Sequence, residues 1–324
     1  MPHPIPLSRR RGIAGLYEAL LEVRDLTRFA DRPAREYKEE TTRNWTAVPC
    51  GTDVSEAARH SREYFEDIER YRYRTQPWTA EAIDGFDLEG RRVLEIGFGA
   101  GTDHLRLARR GGWLAGVDLT PQNFVETTRR FELDGRHPRL AMADMESLPF
   151  RARAFDFVYS FGSVHHTPDA RQTIREVARV LAPGGRAWVA VYHRNSVFFW
   201  WSVFLFRFIF KGGWRRRTLR AQLSLVEQPN THEGLVVMLH RRREIEEIFR
   251  GAGFVGVRSS IRHLVPGDIA GLDRLVSEPE RPRRLLDWVG RLWGWYVIVD
   301  ATLGEPERRP DTTVQRQGNR AGRA

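Results

Sequence analysis

The chain has 324 residues, 41% of them apolar, with 52 Lys and Arg against 42 Asp and Glu for a formal charge of +10. That is too apolar for disorder throughout, and long enough for one large domain or two small ones. The single cysteine, Cys50, excludes an intrachain disulfide, a thiolate zinc site and a cysteine-held iron–sulfur cluster.

No stretch reaches the ~20 apolar residues that span a bilayer, and the opening MPHPIPLSRRR lacks the apolar run of a secretory signal, so a cytoplasmic protein is expected. The arginine excess favours anionic partners or membrane surfaces at long range. Without a helix-turn-helix, zinc-finger or ribonucleoprotein pattern it gives no case for nucleic acid.

In chain order, residues 1–80 read as a helical N-terminal cap. Its first helix is amphipathic over 12–29 (Ile13, Leu16, Leu20, Val23, Leu26), and a charged second helix runs over 53–74 and stops before Pro77. From 81 to 193 short apolar runs alternate with helical stretches, the pattern of a Rossmann-like doubly wound α/β core. Strands are expected over 92–98, 113–119, 139–144, 155–160 and 185–193, with helices over 101–110, 121–133 and 168–181. An aromatic and basic insertion occupies 194–239. The core resumes over 240–303 with a helix, a sixth strand over 254–261, a further helical segment and a seventh strand over 295–303. Residues 304–324, rich in Arg, Pro, Gly and Gln, read as a mobile tail.

The densest signal is VLEIGFGAGTD, residues 93–103, a strand feeding a glycine loop and then a helix. Gly97, Gly99 and Gly101 let the backbone turn tightly and approach a ligand, and the next helix offers unpaired N–H groups. A dinucleotide fingerprint requires glycine at position 102, where Thr102 stands, which argues against a nicotinamide oxidoreductase. Glu95, Asp118 and Asp144 end three successive strands, the edge where α/β sheets bind ligands. Each alone reads equally well as a helix or turn cap. Together they suit a nucleoside, with Asp118 placed to accept ribose hydroxyls and Asp144 to meet an adenine amino group.

VLEIGFGAGTD, GVDLT, ADMESLPF, FDFVYSFGSVHHTPD and VLAPGGRAWVAVYH, in order over residues 91–193, resemble the class I S-adenosylmethionine-dependent methyltransferases, specifically the ubiquinone and menaquinone biosynthesis group. The resemblance implies S-adenosyl-L-methionine as cofactor. Glu95, Gly97, Gly99 and Gly101 would hold its methionine part, Asp118 with Leu119 the ribose, and Asp144 with the Met145 backbone the adenine. Ser160 and the segment after it would face the sulfonium and the acceptor. Phe98 departs from the small or polar residue usual in that loop.

Methyl transfer from a sulfonium needs alignment more than acid–base chemistry, so no dense catalytic constellation is required. A base is needed only where the acceptor keeps its proton. His165 is the candidate catalytic or acceptor-orienting residue, whereas His166 reads as packing or capping before the Pro168 helix. Tyr192 and His193 either point into the cleft or support it. Tyr64 could close over the cofactor, though core packing is the plainer reading.

Residues 196–210 carry eight aromatics, followed by Lys211, Arg215, Arg216, Arg217 and Arg220 with no acidic residue among them. This suits a lid over the acceptor, a dimer contact, or a peripheral membrane element over 196–217. All of these point to a small, apolar or lipid-like acceptor. Two other readings stay open: a cofactor-binding protein that transfers nothing, and a membrane-peripheral scaffold.

Overall fold

The protein is described here by a computed structural model covering residues 17, 20–23, 26, 33–47, 51–227, 235–279, 281 and 283–305. Most of the helix expected over 12–29 and of the tail from 304 lies outside the described residues.

The seven apolar runs form one sheet. Its strands are β1 (Arg92–Ile96), β2 (Trp113–Asp118), β3 (Leu140–Met142), β4 (Phe155–Phe161), β5 (Leu181–Tyr192), β6 (Phe254–Arg262) and β7 (Tyr296–Leu303), in the order β3-β2-β1-β4-β5-β7-β6. The first five pair in parallel, and β7 runs antiparallel between β5 and β6. Burial on both faces explains why the central strands read as continuous apolar runs rather than as an alternation. Along β5, Ala187, Val189 and Val191 join one core cluster, while Trp188, Ala190 and Tyr192 join the other. Strand order reverses between β1 and β4, which opens a crevice at their carboxyl ends.

Helices cover both faces: α1 (Ala34–Ala47), α2 (Arg62–Thr75), α3 (Pro77–Asp84), α4 (Thr102–Ala108), α5 (Pro121–Leu133), α6 (Ala170–Val180), α7 (Phe198–Phe210), α8 (Leu219–Glu227), α9 (Arg242–Gly251) and α10 (Arg284–Trp293). Among those that differ from the sequence reading are two in the cap. The second cap helix begins at Arg62 rather than at 53, because His60 sits at φ 66° and Ser61 Oγ accepts the Tyr64 N–H at 3.1 Å, a side-chain N-cap. Helix α1 has no counterpart in that reading. Its inward face is Tyr37, Thr41 and Asn44, which gives no apolar period.

Helix α7, wound in π-type turns, buries Phe199, Val203, Phe204 and Phe208 in a core cluster shared with α8 and leaves Trp200, Trp201 and Phe210 exposed. Among the described residues no helix is long and apolar enough to cross a membrane.

Candidate active site

The crevice holds a cavity of about 300 Å³ whose floor is the glycine loop and the tips of β1, β2 and β4, and whose roof is α1 and α2. Gly97, Gly99 and Gly101 all adopt the left-handed region, at φ 77°, 53° and 77°. A side chain at Gly97 would strike Ser163, and one at Gly101 would strike Thr127. At Gly99 a Cβ would meet no protein atom within 4 Å, so that bend of backbone is bare toward the cavity.

Asp118 lines the cavity at the tip of β2 and also ties the loop together. Its Oδ2 accepts the Gly99 N–H at 3.1 Å and the Asn123 amide at 3.0 Å, and its Oδ1 accepts the Thr120 N–H at 2.9 Å. Burial raises the carboxyl pKa against the pull of those donors. The turn-capping reading is thus visible in the same residue that lines the cavity. Leu119, Met145 and the Asn123 side chain line the same wall, and the buried Oδ1 of Asn123 has no partner among the described residues.

Glu95 lies at the base of the cavity, fully buried, sharing a 2.7 Å hydrogen bond with His104 Nδ1. Burial, reinforced by Asp103, holds its carboxyl well above the usual carboxylate range, and burial pushes His104 down to about 3, so the pair favours neutrality. Next to it, Arg72 Nη2 of α2 lies 2.7 Å from Asp103 Oδ2. Asp103 also accepts from the Tyr159 hydroxyl at 2.9 Å and the Tyr73 hydroxyl at 3.1 Å, while the guanidinium stacks 3.9 Å over the Phe161 ring. Burial alone would raise the Asp103 carboxyl, but Arg72 reverses this and holds it below its ordinary value. Arg72 and Asp103 both line the cavity, which places a fixed ion pair in the wall that Glu95 also lines.

Asp144 reaches the cavity in a salt bridge with Lys38 of α1 at 2.6 Å, and Lys38 also pairs with Glu146. The roof is therefore fastened to the loop after β3 by one ammonium between two carboxylates. Sequence reasoning missed Lys38, Arg72, Asp103 and His104. Only the contact of the cap with the loops reveals the first two, although Asp103 sits inside the glycine motif.

The acceptor-facing residues need correction. Of Ser160 and the segment after it, Ser160 does not line the cavity, being buried in β4 with its hydroxyl donated to the Ile96 carbonyl at 2.9 Å, whereas Phe161, Gly162 and Ser163 do. His165 is fully buried and does not line the cavity, stacked 3.5 Å from Tyr192, with neither ring nitrogen hydrogen-bonded among the described residues. Burial drives its pKa well below the ordinary value. His166, read as packing, is the histidine that lines the cavity. Its Nδ1 donates to the Val236 carbonyl at 2.6 Å, so Nε2 is the ring nitrogen left to accept from a ligand. Burial holds it neutral, with the pKa pushed down to about 4. Tyr192 lines the cavity, whereas His193 turns away to Gly294 O at 3.0 Å, as strand alternation requires. Tyr64 packs in the core with Phe65 and Ile68. Among the described residues no group of three His, Cys, Asp or Glu could hold a metal ion.

A left-handed glycine loop between β1 and α4, acids at three strand tips and the sheet order 3-2-1-4-5-7-6 define the fold of the class I S-adenosylmethionine-dependent methyltransferases, whose cofactor is S-adenosyl-L-methionine. Residues 94–189 match the family described as methyltransferase domain, so the chain carries such a domain. A fatty-acid O-methyltransferase of Mycolicibacterium smegmatis is 37% identical over 122 residues, 37% of this chain and 43% of that protein. A ubiquinone biosynthesis O-methyltransferase of Paracidovorax citrulli is 31% identical over 118 residues, 35% of this chain and 49% of that one. The matches thus span less than half the length of these curated relatives. A solved geranyl diphosphate methyltransferase, 18% identical, superposes with a TM-score of 0.52 over 83% of this chain and 99% of its own, a likeness of fold. The cavity suits the cofactor: bare backbone at Gly99, an amide oxygen on Asn123 with no partner among the described residues, and the Arg72 guanidinium all line it.

Proposed function

We propose that the protein is a methyltransferase that moves a methyl group onto a small, apolar or lipid-like acceptor held in the aromatic half of this cavity. The observation that carries the reading is the division of one cavity. Its glycine-loop side presents Glu95, Asp118 and Asp144, while Trp45, Tyr71, Phe161, Tyr192 and Tyr296 line the rest. Bound S-adenosylmethionine supplies a methyl group on a sulfonium, which leaves as a neutral thioether.

The chain's own residues bind and align. The glycine loop and Asp118 take the ribose side, Asp144 and the Met145 backbone the adenine, and Arg72 the methionine carboxylate. Holding donor and acceptor in line supplies most of the acceleration. The names of the relatives, fatty-acid and ubiquinone-biosynthesis O-methyltransferases, favour an oxygen acceptor. His166 Nε2 accepts the hydroxyl proton. That proton becomes strongly acidic as the new bond to oxygen forms, so an imidazole with a pKa of about 4 suffices.

The test is incubation of purified protein with methyl-labelled cofactor and extracted lipids, fatty acids and phenols. Label in solvent-extractable product is the expected result. Label confined to water-soluble products overturns the apolar acceptor, and cofactor binding without any labelled product overturns the transfer.

A further inference from the structure

Helix α10 is apolar on the side that faces water. Its inner side rests on β6 and the loop after it, so closely at Gly290 that a Cβ there would stand 3.1 Å from Leu264 Cβ. Its outer side presents Leu285, Trp288 and Leu292 at i, i+3 and i+7, which are 72%, 63% and 51% exposed. Trp293, 49% exposed, then meets Trp200 and Val197 of the aromatic insertion across a shallow surface groove. The outward side of α7 continues this face with Trp201 and Phe210.

The face is also cationic. Arg283 and Arg284 flank the α10 stripe and are exposed, with Arg291 paired to Asp287 at 3.4 Å, and Arg207, Lys211, Arg215 and Arg216 are exposed along and beyond α7. No acidic residue occurs between Val177 and Val226. Exposed tryptophans bordered by arginines match the two layers of a bilayer surface, the acyl boundary where indoles settle and the phosphates to which guanidiniums pair. A second copy of the chain fits poorly, because a two-fold interface sets the same patch against itself and would bring arginine against arginine.

We propose that α10 and the outward side of α7 together dock the protein on an anionic phospholipid surface. The docking face is one aromatic layer from the cavity: Phe198 packs on Trp295 at 4.8 Å, Trp295 stacks on Tyr192 at 4.4 Å, and Tyr192 lines the cavity. An acceptor dissolved in the membrane would meet the protein on the side where the aromatic half of the cavity begins. The docking itself does not depend on turnover.

The experiment is flotation of the full chain with vesicles of phosphatidylcholine alone or mixed with phosphatidylglycerol, at low and high salt, without cofactor or acceptor. Wild type is expected to float with the mixed vesicles, less with the neutral ones, and less again in salt. Trp288→Glu with Leu292→Glu should reduce partitioning roughly tenfold or more, since both side chains are exposed and their loss removes buried apolar area. Arg283→Gln and Arg284→Gln should each reduce it about fivefold. Unchanged circular-dichroism melting separates these effects from unfolding. Three outcomes overturn the proposal: wild type that stays in the aqueous fraction, variants that float as well as wild type, or a wild-type dimer in sedimentation that the Trp288 variant dissociates.

Discussion

Asp118 illustrates why single residues here resist assignment to one job. Three donors converge on its carboxylate, two from backbone, so Asp118→Ala strands the Gly99 and Thr120 amides as well as removing a ligand group. It should weaken S-adenosylmethionine binding at least tenfold by calorimetry and lower stability by about 1–3 kcal/mol in denaturant titration. Unchanged affinity in a folded variant would remove the carboxylate from the cofactor site. The histidines make the opposite case. His166→Ala should slow turnover with cofactor affinity retained, whereas His165→Phe should keep activity and melt no lower than wild type. An aromatic ring preserves the stack on Tyr192, and the imidazole it replaces has no hydrogen-bond partner among the described residues. Glu95 adds a pH dependence. Its carboxyl is held far above its ordinary 4.5, and a cationic ligand in the cavity pulls it back down. Cofactor uptake should therefore release a proton, and affinity should rise with pH above 4.5, measured by calorimetry in buffers of different ionisation enthalpy. Glu95→Gln should abolish that release. The glycines and the acids at the strand tips were legible because their spacing is local. Ser160 and His165 were misplaced because one step along a chain segment decides which side a group faces, and composition does not carry that information.

At the scale of elements, the strands were readable nearly to their ends, since a sheet covered on both sides writes uninterrupted apolar runs. The cap was not. Helix α1 buries tyrosine, threonine and asparagine, and its role emerges only where Lys38 meets Asp144 and Glu146 across more than a hundred residues of sequence. Removing that ammonium leaves two carboxylates facing each other at 11–30% side-chain exposure. Lys38→Met should loosen the roof, so α1 should be cut faster in limited proteolysis and cofactor should dissociate faster in stopped flow. An unchanged cleavage rate would mean that α1 is held by its other contacts. Helix α7 adds detail to the insertion in a similar way. Its aromatics read as one block in the sequence, yet the helix divides them between core and surface.

For the molecule as a whole, stability should vary with pH through a buried carboxyl that does not line the cavity. Asp268 is buried below α7, where its backbone carbonyl accepts from Ser202 Oγ at 2.6 Å and its carboxylate accepts the Val265 N–H at 2.9 Å. Burial raises its pKa from 3.8 to about 7, and His263, 3.9 Å away, is pushed down to about 4 and gives no compensating charge in that range. A raised carboxyl favours the fold fully below 3.8, and the advantage is lost as pH climbs through about 7. Asp268→Asn should therefore melt higher than wild type at pH 8 and close to it near pH 3.8; equal differences at both would show that the carboxyl is solvated. The placement of β7 has a consequence for biosynthesis. That strand, the seventh in sequence, is held on both edges, and its Asp300 clasps Arg186 of β5 across 114 residues. While the chain is still emerging from the ribosome, β5 must wait with a bare edge, the state most prone to pairing with a neighbouring nascent chain. A gene truncated before Tyr296 should accordingly yield inclusion bodies rather than a smaller soluble enzyme.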